Sequence, residues 1–199
     1  VVAACRELGV GPAGFYTPLV GEGGRMRLQM FCLGHHWDPQ TQQYTDARSE
    51  PGGERVRAPP IPPELWAVVE SAAAEASLAC PSVPRVAPGI CLVNHYAHAG
   101  RLAFHQDKSE SAASLARGSP VVSLSIGDAA DFAIADHHPD SAPPGAPKPR
   151  VVRLESGDVL VFGGPARLAW HAVQKIHHRQ RPAGLRMIPG RLNLTFREL

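Results

Sequence analysis

A mainly β fold with flanking helices, built as a sandwich or jelly roll, is predicted by three features of this sequence. Beyond residue 80 the chain is almost all short apolar runs closed by turn residues, with no alternation of strands and helices. Only one stretch, "PELWAVVESAAAEASLA" (63–79), carries a sustained helical pattern. The 199 residues, 44% of them hydrophobic, suit one domain with a real core, or a domain with an extension.

The elements follow in order. Residues 1–24 are punctuated by Gly and Pro in "GVGPAGF" and "GEGG". "RMRLQMFCLG" (25–34) alternates as a strand, and "HHWDPQTQQY" (35–44) reads as a hairpin or loop with two aromatics. "SEPGGERVRAPPIPP" (49–63) is a Pro-rich connector. The helix over 63–79 starts on Pro63, has Glu64 in its first turn, and aligns Leu65, Val68, Val69 and Ala72. Trp66 is expected to bury itself beneath the core. Strands are then predicted over 89–97, 101–107, 121–127, 131–136, 150–155, 158–164 and 191–199, with "ESGD" a turn between two of them. "HHPDSAPPGAPKPR" (137–150) and "IHHRQRPAGLRMIPG" (176–190) are predicted as long loops, the first exposed.

Net charge is only +2, but Lys148 to Arg197 holds ten Lys and Arg against two acids, Glu155 and Asp158. That balance suits an anionic partner, nucleic acid or a dicarboxylate, or simply a solvated basic face. No apolar run approaches the roughly 18 residues of a membrane span, so no membrane partner is expected. The four cysteines form no CxxC pair and read as reduced thiols of an intracellular protein, in nucleus, cytoplasm or an organelle. The chain opens on Val1, as a trimmed fragment would, and the lack of a targeting segment carries no information.

"RLAFHQD" ends an apolar run in His105-x-Asp107. On a strand, i and i+2 share a face, so the two side chains converge. Such a pair holds a metal, orients a base, or forms a plain hydrogen bond. Two His and a carboxylate make the facial triad of non-haem iron oxygenases, and His171 in "RLAWHAV" is the candidate third ligand. "RLNLTFREL" places Arg191, Asn193, Thr195 and Arg197 on one strand face and Leu192, Leu194 and Phe196 on the other. Two guanidiniums on an interior face would bind a small dicarboxylate, whereas on an exposed strand they are merely solvated.

The pieces "LVNHYA", "RLAFHQDKSE", "VVSLSIG", "ESGDVLVFGGPARLAWHAV" and "RLNLTFRE", in this order, resemble the AlkB family of Fe(II)/2-oxoglutarate dioxygenases. The resemblance covers about residues 90–199, with a weaker match through 25–44. It implies a double-stranded β-helix (jelly roll) core over 89–199, behind an extension, nucleotide-recognition lid and supporting helix over 1–88, as one structural unit. It implies that His105, Asp107 and His171 are the catalytic iron ligands, and that Asn94, Tyr96, Arg191, Asn193 and Arg197 hold the co-substrate 2-oxoglutarate. With O2, such an enzyme demethylates N-methylated bases and releases formaldehyde, succinate and CO2.

"DKSE", with Ser109 where the bacterial enzyme has a second acid, and the lid-like "CLGHHWDPQTQQY" are similar to the AlkB homolog 1 branch. Phe162 also replaces a Trp of the bacterial pattern. The implied partner is methylated DNA or RNA, single-stranded or with its base flipped out, met by a monomer. N6-methyladenine, N1-methyladenine and N3-methylcytosine all remain open. Trp37, Tyr44 and Ser109 are the candidate substrate-binding residues, and Arg150, Arg153, Arg179, Arg181 and Arg186 the candidate phosphate contacts. A dioxygenase acting on protein and a non-catalytic nucleic-acid-binding module are the competing expectations.

Overall fold

The computed structural model describes residues 1–50, 52–97 and 100–199; Pro51, within the predicted connector, lies outside them together with His98 and Ala99. In chain order the elements are α1 (Val2–Gly9), β1 (Leu19–Val20), β2 (Gly24–Arg25), β3 (Gln29–Leu33), β4 (His36–Asp38), β5 (Gln43–Thr45), β6 (Ala47–Ser49), β7 (Arg55–Arg57) and α2 (Pro63–Ala79). The second half holds β8 (Ile90–Tyr96), β9 (Leu102–His105), α3 (Ala112–Arg117), β10 (Val121–Gly127), β11 (Ala129–Ala135), β12 (Arg150–Leu154), β13 (Val159–Phe162), β14 (Trp170–His177) and β15 (Arg191–Arg197).

Two antiparallel sheets face each other as a jelly roll. One has five strands in the order β13-β10-β15-β8-β3, the other four in the order β12-β11-β14-β9. Helix α2 covers the outer face of the larger sheet. There Leu65, Val69 and Ala73 meet Phe31, Leu33, Cys91, Val93, Leu192, Leu194 and Phe196. Between the sheets, Met30, Cys32, Leu92, Tyr96, Val121 and Phe162 pack against Ala130, Phe132, Leu154, Val173 and Ile176. The larger sheet is therefore buried on both faces. The odd-numbered positions of β15, polar by sequence, look into the space between the sheets, and all seven of its residues are buried.

Several expectations need correction. Residues 1–24 contain helix α1, which has no side-chain cap and is short for an isolated helix; burial of Cys5 against the outer core holds it. The 25–34 strand begins properly only at Gln29, because Arg25 belongs to a separate small hairpin with Leu19. The Pro-rich connector contains β7, which pairs with β6. Helix α3, capped by Ser111 and ended by Gly118 at φ 69°, interrupts the run of strands. The 176–190 loop gives its first two residues to β14. Trp66 is only half-buried, and Leu65 takes the inward position instead. Loop 137–150 is largely exposed, as expected, with one 3-10 turn at Pro139–Ser141. Between β3 and β4, Gly34 adopts φ +80°, and a Cβ there would lie 2.0 Å from the Gly89 carbonyl oxygen. Among the described residues no helix is long and apolar enough to cross a membrane.

Candidate metal and carboxylate site

His105 ends β9 and His171 is the second residue of β14; the two are direct partners across these antiparallel strands. Asp107 is not on a strand, since β9 stops at His105, so simple alternation does not bring it to the pair. The loop does so instead. Asp107 Oδ1 lies 3.7 Å from His105 Nε2, and its Oδ2 lies 3.7 Å from His171 Nε2. One ligand atom from each of the three residues falls within 4.8 Å of the others, the sole such cluster found among the described residues.

The imidazoles are set for coordination. His105 Nδ1 faces the Ala103 carbonyl at 2.8 Å, and His171 Nδ1 faces that of Ala169 at 3.0 Å. A carbonyl only accepts, so Nδ1 carries a proton in both rings and Nε2 is the nitrogen turned toward Asp107. Burial pushes His171 down to about 4, so its ring is neutral near pH 7. Phe132 and Phe162 flank that ring, with centroids at 5.7 Å and 5.1 Å. Burial opposes the Asp107 charge, but Arg197, His171, His105 and Arg167 outweigh it and hold the carboxyl below its ordinary value. Two imidazoles and a carboxylate converging in this way fit a divalent transition metal.

Strands β8 and β15 build the floor. Arg191 stands opposite Tyr96, and Asn193 opposite Asn94. Asn94, Tyr96, Asn193, Thr195 and Arg197 line one cavity with His105, Asp107 and His171. Asn193 Nδ2 donates to Ser123 Oγ at 2.7 Å, and its Oδ1 accepts from Thr195 Oγ1 at 3.1 Å. Arg191 is 1% exposed, and its Nη2 donates to Ser125 Oγ at 2.8 Å. Its Nε and Nη1, like the Tyr96 hydroxyl, have no hydrogen-bond partner among the described residues. Burial lowers the affinity of Arg191 for its proton. A buried guanidinium with free donors beside a free phenol fits a carboxylate ligand. Arg197 differs, because it already pairs with Asp107 Oδ1 at 2.9 Å and faces Glu110 Oε1 at 3.4 Å.

Trp37 and Tyr44 pair across the β4–β5 hairpin. Trp37 Nε1 donates to Ser109 Oγ at 3.1 Å, and the Tyr44 hydroxyl donates to Glu110 Oε1 at 2.8 Å. All three substrate-binding candidates thus gather around the loop that follows Asp107. The basic candidates scatter. Arg150 is level with His171, since both pair with Ile134. Arg153 sits three residues further along β12, and Arg179, Arg181 and Arg186 follow the far end of β14, away from His171. Two residues that sequence reasoning left without a role stand out. Glu110 and Arg167 form a fully enclosed ion pair at 2.8 Å beside Asp107. The only local signal was the second acid in "DKSE"; nothing in "GPARLAW" marks Arg167.

Comparison with known proteins agrees with this geometry. The family model described as 2OG-Fe(II) oxygenase superfamily matches residues 2–197. The chain is 42% identical over 212 residues to DNA N(6)-methyladenine demethylase ALKBH1C of Arabidopsis thaliana, covering 100% of this chain and 45% of that protein. It is 34% identical over 180 residues to an alpha-ketoglutarate-dependent dioxygenase AlkB homolog of Caulobacter vibrioides, covering 88% of this chain and 70% of that one. A solved structure, that of OsALKBH1, superposes with a TM-score of 0.88 at 40% identity, covering 100% of this chain and 89% of its own. The chain spans about half the length of the Arabidopsis relative.

Proposed function

Because the chain belongs to the 2OG-Fe(II) oxygenase superfamily, and within it to the AlkB family on the ALKBH1 branch, we propose that it demethylates N-methylated bases in DNA or RNA. The observation that carries this reading is the convergence of His105, Asp107 and His171 in a cavity lined by β8 and β15, the strand that also carries a buried Arg191 with unpaired donors. In this reading those three residues hold Fe(II), while Arg191, Asn193, Arg197, Asn94 and Tyr96 hold 2-oxoglutarate. The Arabidopsis relative is named for DNA N(6)-methyladenine, which supports that base as the first substrate to try.

Loaded with Fe(II), 2-oxoglutarate and O2, the site supplies oxidation of an N-methyl group, giving formaldehyde and the free base beside succinate and CO2. The protein's own part is binding and orientation. His105 and His171 present their Nε2 atoms, oriented by their Nδ1 bonds to backbone carbonyls. Asp107, kept ionised, would supply the carboxylate of the set that holds the metal. Arg191 and Tyr96 offer the free donors that a distal carboxylate requires. Phe132 and Phe162 keep water from His171. The substrate base enters single-stranded or flipped, beside the hairpin bearing Trp37 and Tyr44. All four cysteines are free and three are buried, which supports placement inside the cell.

The test is release of formaldehyde and succinate with Fe(II), 2-oxoglutarate and single-stranded DNA and RNA oligonucleotides, each carrying one methylated base. A His105→Ala variant runs beside it. Formaldehyde from one methylated base, absent in the variant, is the expected result. Succinate without formaldehyde from any oligonucleotide sinks the nucleic-acid substrate and turns the search to protein.

A further inference from the structure

Asp107 lies past the end of β9, where no strand ladder fixes its backbone. Arg167 supplies what the ladder does not. Its Nη1 donates to the Asp107 carbonyl oxygen at 2.5 Å, and its Nη2 donates to Glu110 Oε2 at 2.8 Å. Glu110 Oε1 in turn accepts from the Tyr44 hydroxyl at 2.8 Å, and that hydroxyl accepts from Arg197 Nη1 at 2.7 Å. Arg197 Nη2 closes the ring on Asp107 Oδ1 at 2.9 Å. The side chains of Glu110 and Arg167 are 0% and 3% exposed, and neither lines the cavity that holds the triad. They reach the ligands only through Asp107, Tyr44 and Arg197.

Two carboxylates and two guanidiniums balance here, so the ring is neutral although it is buried. Tyr44 is the one member carried by the β4–β5 hairpin. Its ring packs at the edge of the inner core, and its hydroxyl is spent on Glu110 and Arg197.

We propose that Glu110 and Arg167 are positioning residues for the metal ligand Asp107, and that Tyr44 works through its hydroxyl, holding Arg197 for the co-substrate carboxylate, rather than by stacking on a base. This rests on the reading above, in which Asp107 binds iron and Arg197 binds 2-oxoglutarate. Arg167 acts as a two-pronged clamp, which lysine does not reproduce. Partners of metal ligands typically change metal affinity by about 10–100-fold when altered. Loss of one hydrogen bond to a charged group weakens binding by roughly tenfold.

The experiment measures Mn(II) affinity by electron paramagnetic resonance, 2-oxoglutarate affinity by calorimetry with Mn(II) present, and single-stranded oligonucleotide affinity by anisotropy. The proteins are wild type, Arg167→Lys, Glu110→Gln and Tyr44→Phe, each checked for folding by circular dichroism. Arg167→Lys and Glu110→Gln are expected to weaken Mn(II) by about 10–100-fold. Tyr44→Phe is expected to leave oligonucleotide binding unchanged and to weaken 2-oxoglutarate by roughly tenfold. Phenylalanine keeps a stacking ring, so unchanged 2-oxoglutarate binding in Tyr44→Phe overturns the role given to the hydroxyl. Wild-type Mn(II) affinity in Glu110→Gln overturns the positioning role, and that variant alone decides the point if Arg167→Lys does not fold. Failure of the wild type to bind Mn(II) or 2-oxoglutarate is the separate result that brings down the underlying reading.

Discussion

His171 stands directly across from His105, with ring centroids 4.3 Å apart and Asp107 bridging their Nε2 atoms. Each ring is locked by a neighbour two residues earlier on its own chain segment, so the pair is preformed. Replacing His171 with Gln keeps a polar side chain of similar reach but removes the imidazole. Mn(II) affinity is expected to fall by more than about 100-fold, beyond what partners of ligands cost. Circular dichroism should be unchanged. A variant that still binds Mn(II) like the wild type contradicts the ligand assignment.

Helix α2 makes a second prediction, about stability. Leu65 is 1% exposed and packs on the outer face of the larger sheet, whereas Trp66 belongs to neither core cluster. Leu65→Ala should cost about 2–5 kcal/mol in urea unfolding, as buried leucine truncations do. Trp66→Ala should cost less, despite the larger side chain. The reverse order contradicts the packing described.

How much of this was legible beforehand depends on distance along the chain. The β15 pattern read correctly because strand period is local: Arg191, Asn193, Thr195 and Arg197 share a face wherever the strand lies. The α2 boundaries were legible for the same reason, with Pro63 at the start and a periodic apolar face. Glu110 and Arg167 were not legible in role, because 57 residues separate them and no local period links them. Their meeting depends on the path of two loops. Helix α1 was missed because tertiary packing of Cys5, not propensity, holds it. The triad itself was found by pattern, but its assumed cause was wrong at Asp107, which the loop rather than the strand delivers.

Glu198 ties the chain's end to the structure. It accepts from Ser119 Oγ at 2.7 Å, pairs with Arg117, and accepts from the Ala87 backbone N–H at 3.4 Å. Burial works against its charge, but these donors win and hold the carboxyl below its ordinary value of 4.5. A folded pKa below the unfolded one means stabilisation that is present above the unfolded value and lost as pH falls through the folded value. The gap in stability between wild type and Glu198→Gln should therefore be constant from about pH 6 upward and close progressively below about pH 4.5. Urea midpoints across pH 3–7 measure it; a gap that widens in acid contradicts the assignment.

The two arginines of β15 should respond oppositely to the same change. Arg197 answers two buried carboxylates, so Arg197→Met leaves Asp107 and Glu110 facing an apolar side chain. Breaking a buried pair from one side typically costs about 3–5 kcal/mol. Arg191 has Ser125 as its hydrogen-bond partner and no carboxylate in reach among the described residues, while burial already disfavours its charge. Arg191→Met removes that unpaired charge, so the ligand-free protein should be as stable as the wild type or more so. Binding of 2-oxoglutarate should nevertheless fall by at least about 30-fold, the low end of losing one partner of a buried charge pair. Urea unfolding of both variants, with and without 2-oxoglutarate, separates the two effects. The wild type should gain stability from the ligand, and Arg191→Met should not. If Arg191→Met is destabilised as much as Arg197→Met, then Arg191 is part of the scaffold, and its free donors are not the mark of a carboxylate site.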